Sequence, residues 1–261
     1  MMFNTCSTSP PIFTAVSFRA LLRNTVVCWL GLALGLAQAD MVIDTTRVIY
    51  PEGRREVTLK VTNTAKDKPA LVQLWLDDGN PSKSIDEIVT PFNLSPPVAR
   101  LRAEGSQVVR LTYTGDPLPS DRESVFWFNM LEVPQKSAEE NKISFAVRTR
   151  IKVFYRPKAL REDPATLMDR VTWKVFQKDG QWMAEATNPT PFNMSFFGLS
   201  FGQSGNYDVL GEGGMVPPLG KATFTVSDAA KVTKPYNQFK IDYVNDFGGK
   251  QSIELPVAVA P

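Results

Sequence analysis

The sequence predicts an all-β protein that consists of two immunoglobulin-like β-sandwich domains. Short apolar or alternating segments recur along the chain, and Gly, Pro, Asn or Asp residues bound each of them. No segment shows a convincing helical periodicity, although residues 164–169 are expected to form one turn. A polar, proline-marked segment at 158–164 separates two series of strands, which predicts two sandwiches. The expected divisions are a signal peptide at 1–39, an N-terminal domain at 40–160 and a C-terminal domain at 161–261.

The N-terminal segment is expected to be a secretory signal peptide. Arg19 and Arg23 precede an apolar run, and Ala37-Gln38-Ala39 forms a small-x-small cleavage pattern. The apolar run is only about ten residues long, so a retained membrane anchor is the less favoured alternative. Both cysteines, Cys6 and Cys28, lie in this segment. The mature protein, 222 of the chain's 261 residues, is therefore expected to form no disulfide.

The composition excludes several classes of function. The chain has 29 Lys and Arg residues against 27 Asp and Glu residues, and it has no histidine. Loss of the two signal-segment arginines leaves a formal net charge of zero, so the basic field that nucleic acid requires is missing. Without histidine or mature cysteine there is no Ser-His or Cys-His nucleophile pair and no usual zinc site. We therefore expect a protein that is not an enzyme, that needs no cofactor or metal, and that is not embedded in a membrane.

Two further patterns offer only weak functional signals. Three carboxylate pairs, Asp77-Asp78, Glu139-Glu140 and Glu162-Asp163, are of the kind that hydrolyses glycosides. Each pair is expected in a polar turn, where adjacent charges are usually just solvated. The glycine-rich stretch 211–214 lacks the strand, helix and lysine of a phosphate loop, and we expect a flexible turn there.

The strand candidates of the first series end with the segment around which the functional prediction is built. Ile143, Phe145 and Val147 fall on one side of this last strand, whereas Arg150 and Lys152 fall on the other. The apolar side is either covered by the domain's own core or left at an open edge, where another polypeptide can pair. The candidates are 41–50, 56–62, 71–76, 107–113, 125–133 and 143–157 in the first series, and 170–177, 182–187, 193–201, 221–226, 239–244 and 251–257 in the second.

Several charged residues lie among apolar ones, and the sequence leaves their roles open. Arg47 and Lys152 either lie along the sheet with their charged groups in water, or converge on an anion such as a terminal carboxylate. Glu123, Arg156 and Asp246 are either separate surface charges or a cluster that bridges the two domains. Spacing along the chain does not decide between these alternatives.

Four motifs stand out along the mature chain: DRESVFWFN at 121–129, IKVFYRP at 151–157, NPTPF at 188–192 and YVNDFGG at 243–249. These motifs resemble those of the periplasmic chaperones of the chaperone-usher pathway, which are typified by the P pilus and type 1 pilus chaperones. The resemblance covers essentially the whole mature chain, and the motifs occur in the family's order behind a signal peptide.

The resemblance implies a function as well as a fold. Members of this family have two immunoglobulin-like domains in an L shape, and they bind, fold and cap pilus subunits by donor-strand complementation before delivery to an outer-membrane usher. Ser95, in the loop that matches the family's usher-contacting loop, replaces the threonine more familiar in the family. The implied roles are a subunit-carboxylate anchor at Arg47 and Lys152, a donor strand at Ile143, Phe145 and Val147, interdomain salt bridges at Glu123, Arg156 and Asp246, and an usher or gating loop at Ser95 and Pro96.

The donor side chains and the anchoring lysine do not share a side of their strand. Lys152 has the opposite parity from Ile143, Phe145 and Val147. We therefore expect strand twist or a bulge to reconcile an apolar donor face with a lysine that faces the cleft.

The expected partners are pilus subunits and the usher in the periplasm, with no nucleic acid. Because some relatives cap their own sticky edge, a homodimer is a further partner to test. The short loop at 134–142 resembles the subclass that serves rod-like pili. The principal alternative is a secreted two-domain adhesive or carbohydrate-binding sandwich, which predicts a covered face at 143–147. A glycosidase that uses Asp77 or Glu139 is a third hypothesis.

Overall fold

The computed structural model describes residues 40–80, 82–134, 145–203, 206–226, 238–256 and 258–259. The predicted signal peptide, Glu139-Glu140 and Ile143 lie outside these residues. The described residues form 17 strands and two 3₁₀ helices, at Ile85–Glu87 and Pro164–Arg170. The strands are β1 (Met41–Ile43), β2 (Arg47–Pro51), β3 (Val57–Asn63), β4 (Ala70–Asp77), β5 (Phe92–Ser95), β6 (Val98–Leu101), β7 (Ser106–Tyr113), β8 (Ser124–Val133), β9 (Arg148–Arg156), β10 (Thr172–Lys178), β11 (Gln181–Asn188), β12 (Met194–Gln203), β13 (Asn206–Val216), β14 (Gly220–Thr225), β15 (Gln238–Val244), β16 (Lys250–Pro256) and β17 (Ala258–Val259).

The first nine strands form a sandwich of two sheets. One sheet contains β1, β3, β7 and β5, and the other contains β2, β9, β8, β4 and β6, each in that spatial order. Alternate side chains of the two sheets meet in one apolar core, which includes Val61, Leu74, Leu111 and Phe128. The alternation of apolar and polar residues in the sequence therefore matches the structure, because one face of each strand packs inward.

The first strand candidate, 41–50, divides into two strands that belong to different sheets. Met41–Ile43 pairs with β3, whereas Arg47–Pro51 pairs in parallel with β9. Asp44 ends the first ladder, because its backbone N–H donates to the Lys60 carbonyl and its carboxylate accepts from the Lys60 N–H, both at 3.0 Å. This crossover brings Arg47 into the same sheet as Lys152.

The remaining strands form a second sandwich with its own core. Its sheets are β14, β11, β10 and β17, and β13, β12, β15 and β16. Trp173 packs edge-on against Phe196 and Phe239 at centroid distances of 5.3 and 5.5 Å, and all three belong to one buried cluster. The helical turn expected at 164–169 is confirmed as a 3₁₀ helix, and Asp163 caps it by accepting the Ala165 N–H at 2.9 Å.

The prediction of a flexible turn at residues 211–214 is wrong. These residues lie in β13, which pairs along its length with β12. A Cβ atom at Gly213 would overlap the carbonyl oxygen of Phe196, and one at Gly214 would lie 2.5 Å from the ring of Phe224. The glycines are there because neighbouring groups approach the strand closely, and not because the chain must bend.

Candidate functional site

Within the described part of the chain, one of the two edges of β9 is paired along only about half of its length. On one side β9 pairs with β8 from Arg148 to Tyr155. On the other side β2 pairs only with Lys152–Arg156, because β2 begins at Arg47. Among the strands that the structure describes, none borders residues 148–151 on that side. Backbone groups at this edge are therefore open to another strand.

Two predicted donor side chains lie exposed just before this open edge. Phe145 is 81% exposed and Val147 is 49% exposed. The predicted strand 143–157 is shorter in the structure, where it begins at Arg148, but the Val147 carbonyl still accepts the Glu132 N–H at 2.9 Å. The third donor residue, Ile143, lies outside the described part of the chain.

The exposed side chains have the same parity as the buried side chains of β9. Ile151, Val153 and Tyr155 belong to the first core, so Phe145 and Val147 extend that apolar row beyond their own domain. The pairing of β8 with β9 shows no register shift from residue 148 to residue 155. Within β9 the expected bulge is therefore unnecessary, because Ile151 and Val153 lie on one face of a regular strand and Lys152 lies on the other.

Arg47 and Lys152 lie directly opposite each other in the parallel pairing of β2 with β9. Arg47 is 8% exposed, and its Nη1 donates to the Val244 carbonyl at 3.1 Å. The Lys152 Nζ donates to the Ser195 hydroxyl at 3.1 Å. Both side chains thus reach the second sandwich. The alternative in which both charged groups lie in open water does not hold.

Among the residues that the structure describes, no counter-charge is in direct contact with the two cations. Among the described residues no carboxylate forms an ion pair with either side chain, and the buried Nε of Arg47 has no hydrogen-bond partner. Burial lowers the pKa of Arg47, although the charges of Asp246 and Glu123 oppose the shift. Burial and the adjacent charge of Arg47 lower the pKa of Lys152 to about 8. An anion placed between them would relieve this repulsion.

The predicted bridging residues lie together between the two sandwiches. The Arg156 Nε donates to Glu123 at 2.8 Å, and its two terminal nitrogens donate to Asp246 at 2.6 and 2.9 Å. Glu123 also accepts the Asn193 N–H at 2.9 Å. Burial raises the pKa of Glu123, and the Arg156 charge and the Asn193 hydrogen bonds oppose that shift. The cluster therefore joins β9 to the turn between β15 and β16.

The predicted usher loop lies at the other edge of the same sheet. Ser95 and Pro96 connect β5 to β6 through a cis peptide bond, and β6 is the edge strand opposite β2. The next residue is held in place, because the Pro97 carbonyl accepts the Leu74 N–H at 2.8 Å. The sheet thus separates this loop from the basic pair.

The structure places Asp77 in a buried strand end and not in the predicted solvated turn. Asp77 is the last residue of β4, and its side chain is completely buried. Its carboxylate accepts from the Gly79 N–H at 2.7 Å, from Asn129 at 2.8 Å, from Arg148 at 3.2 Å and from Arg150. Burial alone would raise the pKa of Asp77, but these donors outweigh it and hold the pKa below its usual range.

The other carboxylate pair that the structure describes, Glu162-Asp163, behaves as surface charge. Glu162 is largely exposed beside Arg170, and Asp163 caps the 3₁₀ helix. Within the described ranges, no cluster of acidic or sulfur side chains could bind a metal, and no helix combines the length and apolarity needed to cross a bilayer. Because Asp77 is ionised and fully engaged, it is unsuited to donate a proton in glycoside hydrolysis.

Residues 40–161 match the family model "Pili and flagellar-assembly chaperone, PapD N-terminal domain", and residues 166–255 match "Pili assembly chaperone PapD, C-terminal domain". The chain belongs to the pilus-assembly chaperone family. It is 39% identical over 222 residues to the chaperone protein HifB of Haemophilus influenzae, and the aligned region covers 82% of this chain and 87% of that protein. It is also 33% identical over 217 residues to the chaperone protein PapD of Escherichia coli, with coverage of 82% and 85%.

A solved structure supports the same conclusion. The crystal structure of the YadV chaperone superimposes with a TM-score of 0.68 at 35% identity, covering 83% of this chain and 98% of that chain. The predicted two-sandwich fold and the resemblance to the chaperone-usher family are thereby confirmed. The chain is a chaperone of pilus assembly. The roles assigned to individual residues remain predictions.

Substitution of Arg156 tests the cluster that joins the two sandwiches of the chaperone. Arg156→Ala should lower the free energy of unfolding by about 3–5 kcal/mol, because it leaves the buried carboxylate of Glu123 without its counter-charge. Arg170→Ala, which breaks an exposed pair, should change it by less than about 0.5 kcal/mol.

The Arg156→Ala deficit should shrink as the pH falls, because a carboxyl whose folded pKa is raised is stabilised by protonation in the folded state. Urea unfolding at several pH values measures both effects. Equal losses for the Arg156 and Arg170 variants would contradict the buried cluster.

Proposed function

We propose that this chaperone acts in the periplasm, where it lends the open edge of β9 to a pilus subunit and holds the subunit's C-terminal carboxylate between Arg47 and Lys152. The observation that carries the proposal is the position of Phe145 and Val147. Both side chains continue the apolar core row of β9, yet they are exposed beside an uncovered backbone edge. The adhesive alternative predicts a covered face at this place, so the exposure disfavours it.

The apolar row is the main source of affinity. Burial of side chains the size of Ile143, Phe145 and Val147 contributes roughly 1.5–3 kcal/mol each, before the loss of freedom on association. Main-chain hydrogen bonds along an added strand contribute about 1 kcal/mol net apiece. Together these contributions favour capture of an unfinished sandwich that lacks one strand.

The basic pair fixes the register of the added strand. A slip of one residue along β9 would turn every donor side chain to the wrong face. A carboxylate held by two neighbouring cations marks one end of the subunit chain, and charge-assisted hydrogen bonds strengthen such a contact. Two observations support this role: the Nε of Arg47 has no hydrogen-bond partner, and among the described residues no carboxylate forms an ion pair with either cation, since Glu123 and Asp246 pair with Arg156.

Arg156 with its two carboxylate partners keeps the anchor assembled. Arg47 lies on the first sandwich and donates to a carbonyl of the second, while Arg156 ties the same two sandwiches together nearby. We place the domain boundary at 160/161, in the polar segment before the 3₁₀ helix. No catalytic group, cofactor or metal is part of the proposed function, which is binding alone.

Delivery to an outer-membrane usher is assigned to the loop at Ser95 and Pro96. Its position at the far edge of the sheet from β2 leaves it accessible while a subunit occupies β9. In the free chaperone, the exposed edge of β9 also pairs with a second copy of the chain. Both assignments rest on the family, whose members work with ushers and in some cases self-associate.

The anchor is tested by removing both cations. Arg47→Ala combined with Lys152→Ala should weaken subunit capture at least about a hundredfold, because each charge-assisted contact is worth about 1.5–3 kcal/mol. Co-purification of pilin from periplasmic extract measures this loss. Lys83→Ala, which removes an exposed lysine elsewhere in the first sandwich, is the matched control. Undiminished capture by the double variant would rule out the anchor.

The donor row is tested by placing a charge in it. Val147→Asp should abolish capture, because an unpaired carboxylate would have to enter the subunit's core. Val89→Asp changes an exposed valine in a loop far along the sequence and should leave capture unchanged. Thermal melting of the free proteins should be nearly equal, since Val147 is about half exposed and does not belong to the core of the first sandwich. Retained capture with Val147→Asp would contradict donor-strand addition through this row.

The anchor should also respond to pH. Lys152 must be charged to hold a carboxylate, and its pKa in the free chaperone is about 8. Because a bound carboxylate raises that pKa, capture is strongest below pH 8 and weakens as the pH rises past it. The dissociation constant should rise about tenfold between pH 7 and pH 9. Lys152→Arg, which stays charged, should show a flat profile, and an equal rise in this variant would contradict the assignment.

A further inference from the structure

We propose that Asp77 is the positioning residue that holds the open half of β9 in the conformation that a subunit strand requires. The inference rests on the proposed function, because it explains how the donor edge is kept ready. Asp77 does not touch the subunit in this scheme. It acts through Arg148 and Arg150, whose side chains leave β9 on the face opposite Val147.

Asp77, Asn129, Arg148 and Arg150 form a hydrogen-bonded cluster, which we call the tie, and it spans three adjacent strands. Asp77 lies at the end of β4, Asn129 lies in β8, and the two arginines lie in β9. Asn129 donates to Asp77 at 2.8 Å and accepts two hydrogen bonds from Arg148, at 3.0 and 2.8 Å. Arg148 and Arg150 each also donate to Asp77 itself. Side chains thus connect β9 to β4 across the intervening strand.

The rings of two tryptophans lie against the guanidinium groups of the two arginines. The guanidinium of Arg148 lies 4.9 Å from the Trp75 ring centroid, and that of Arg150 lies 4.3 Å from the Trp127 centroid. Stacking on an aromatic face restricts a guanidinium to one plane, which adds direction to the ion pairs. The turn after β4 closes the site, since a Cβ at Gly79 would lie 3.2 Å from the Trp127 Nε1.

The tie is located where β9 lacks a neighbour. Residues 152–155 are held between β2 and β8, but residues 148–151 have β8 alone among the described strands. A terminal strand segment with one neighbour frays readily. Two arginines in this segment, each held to a buried carboxylate, replace the missing neighbour. The apolar row is then presented in one orientation, and less order has to be created when the subunit binds.

Loss of the carboxylate would affect this segment first. Two guanidinium groups would share one site without a counter-charge, and they would repel each other. The core of the first sandwich is on the other face of β4, where Leu74 and Leu76 point inward. Asp77→Asn, which nearly preserves shape, should therefore loosen the open half of β9 and leave the rest of the sandwich folded.

The test combines hydrogen exchange with subunit affinity in the mature chain. The variants are Asp77→Asn and, as a matched control, Asp78→Asn, which removes the adjacent exposed carboxylate. The probe for binding is the pilin that co-purifies with the unmodified chaperone. With Asp77→Asn, exchange at residues 145–151 should be about tenfold faster or more, exchange at 152–156 should be unchanged, and the dissociation constant should rise about tenfold. Asp78→Asn should change none of these.

Other outcomes would overturn the proposal in distinguishable ways. Faster exchange throughout β3 and β7 as well would show that Asp77 is only a general support of the fold. Unchanged pilin affinity, with or without faster local exchange, would show that positioning by Asp77 does not matter for capture, while the proposed function stands. Failure of the unmodified chaperone to bind any pilin would remove the proposed function, and this inference with it.

Discussion

The half-length pairing of β2 with β9 is the constraint on which the rest of the site depends. Because the chain crosses between sheets at Asp44, β2 begins only at Arg47 and covers β9 only from Lys152 onward. The same event therefore creates an open edge on one half of β9 and places two cations side by side at the start of the other half. The apolar row and the charged pair are consequences of one register.

A strand with two faces lets these features act together. Odd-numbered residues of β9 point into the first core, and in the segment before it they are exposed. Even-numbered residues lie on the other face, where Lys152 meets the second sandwich and Arg150 meets Asp77. No break in the pairing with β8 separates the two sets. A partner that pairs with the edge would therefore find its apolar contacts and its charged contact at a fixed spacing along one strand.

Features written in local sequence could be predicted, and features made by distant contacts could not. Alternation alone places Phe145 and Val147 together on the apolar side, and the resemblance adds a role for Arg47 and Lys152. Asp77, however, belongs to an Asp-Asp-Gly-Asn stretch that has every local sign of a solvated turn. Its burial depends on Asn129, Arg148 and Arg150, which are 52 to 73 residues away. The glycines of β13 are similar, because only the approach of Phe196 and Phe224 explains them.

The buried charges of this chaperone are arranged for position more than for stability. Glu123 and Asp77 are both removed from water, and replacing a whole buried ion-pair cluster by apolar residues of comparable volume is often neutral or stabilising, although removing a single member is not. A salt bridge with several hydrogen bonds instead fixes the orientation of the groups it joins, because a carboxylate accepts hydrogen bonds only from a limited range of directions. Arg156 sets the second sandwich against β9, and Arg148 and Arg150 set β9 against β4. In the proposed function, the strand offered to the subunit is thus oriented from both ends by charge, while apolar contacts supply the affinity.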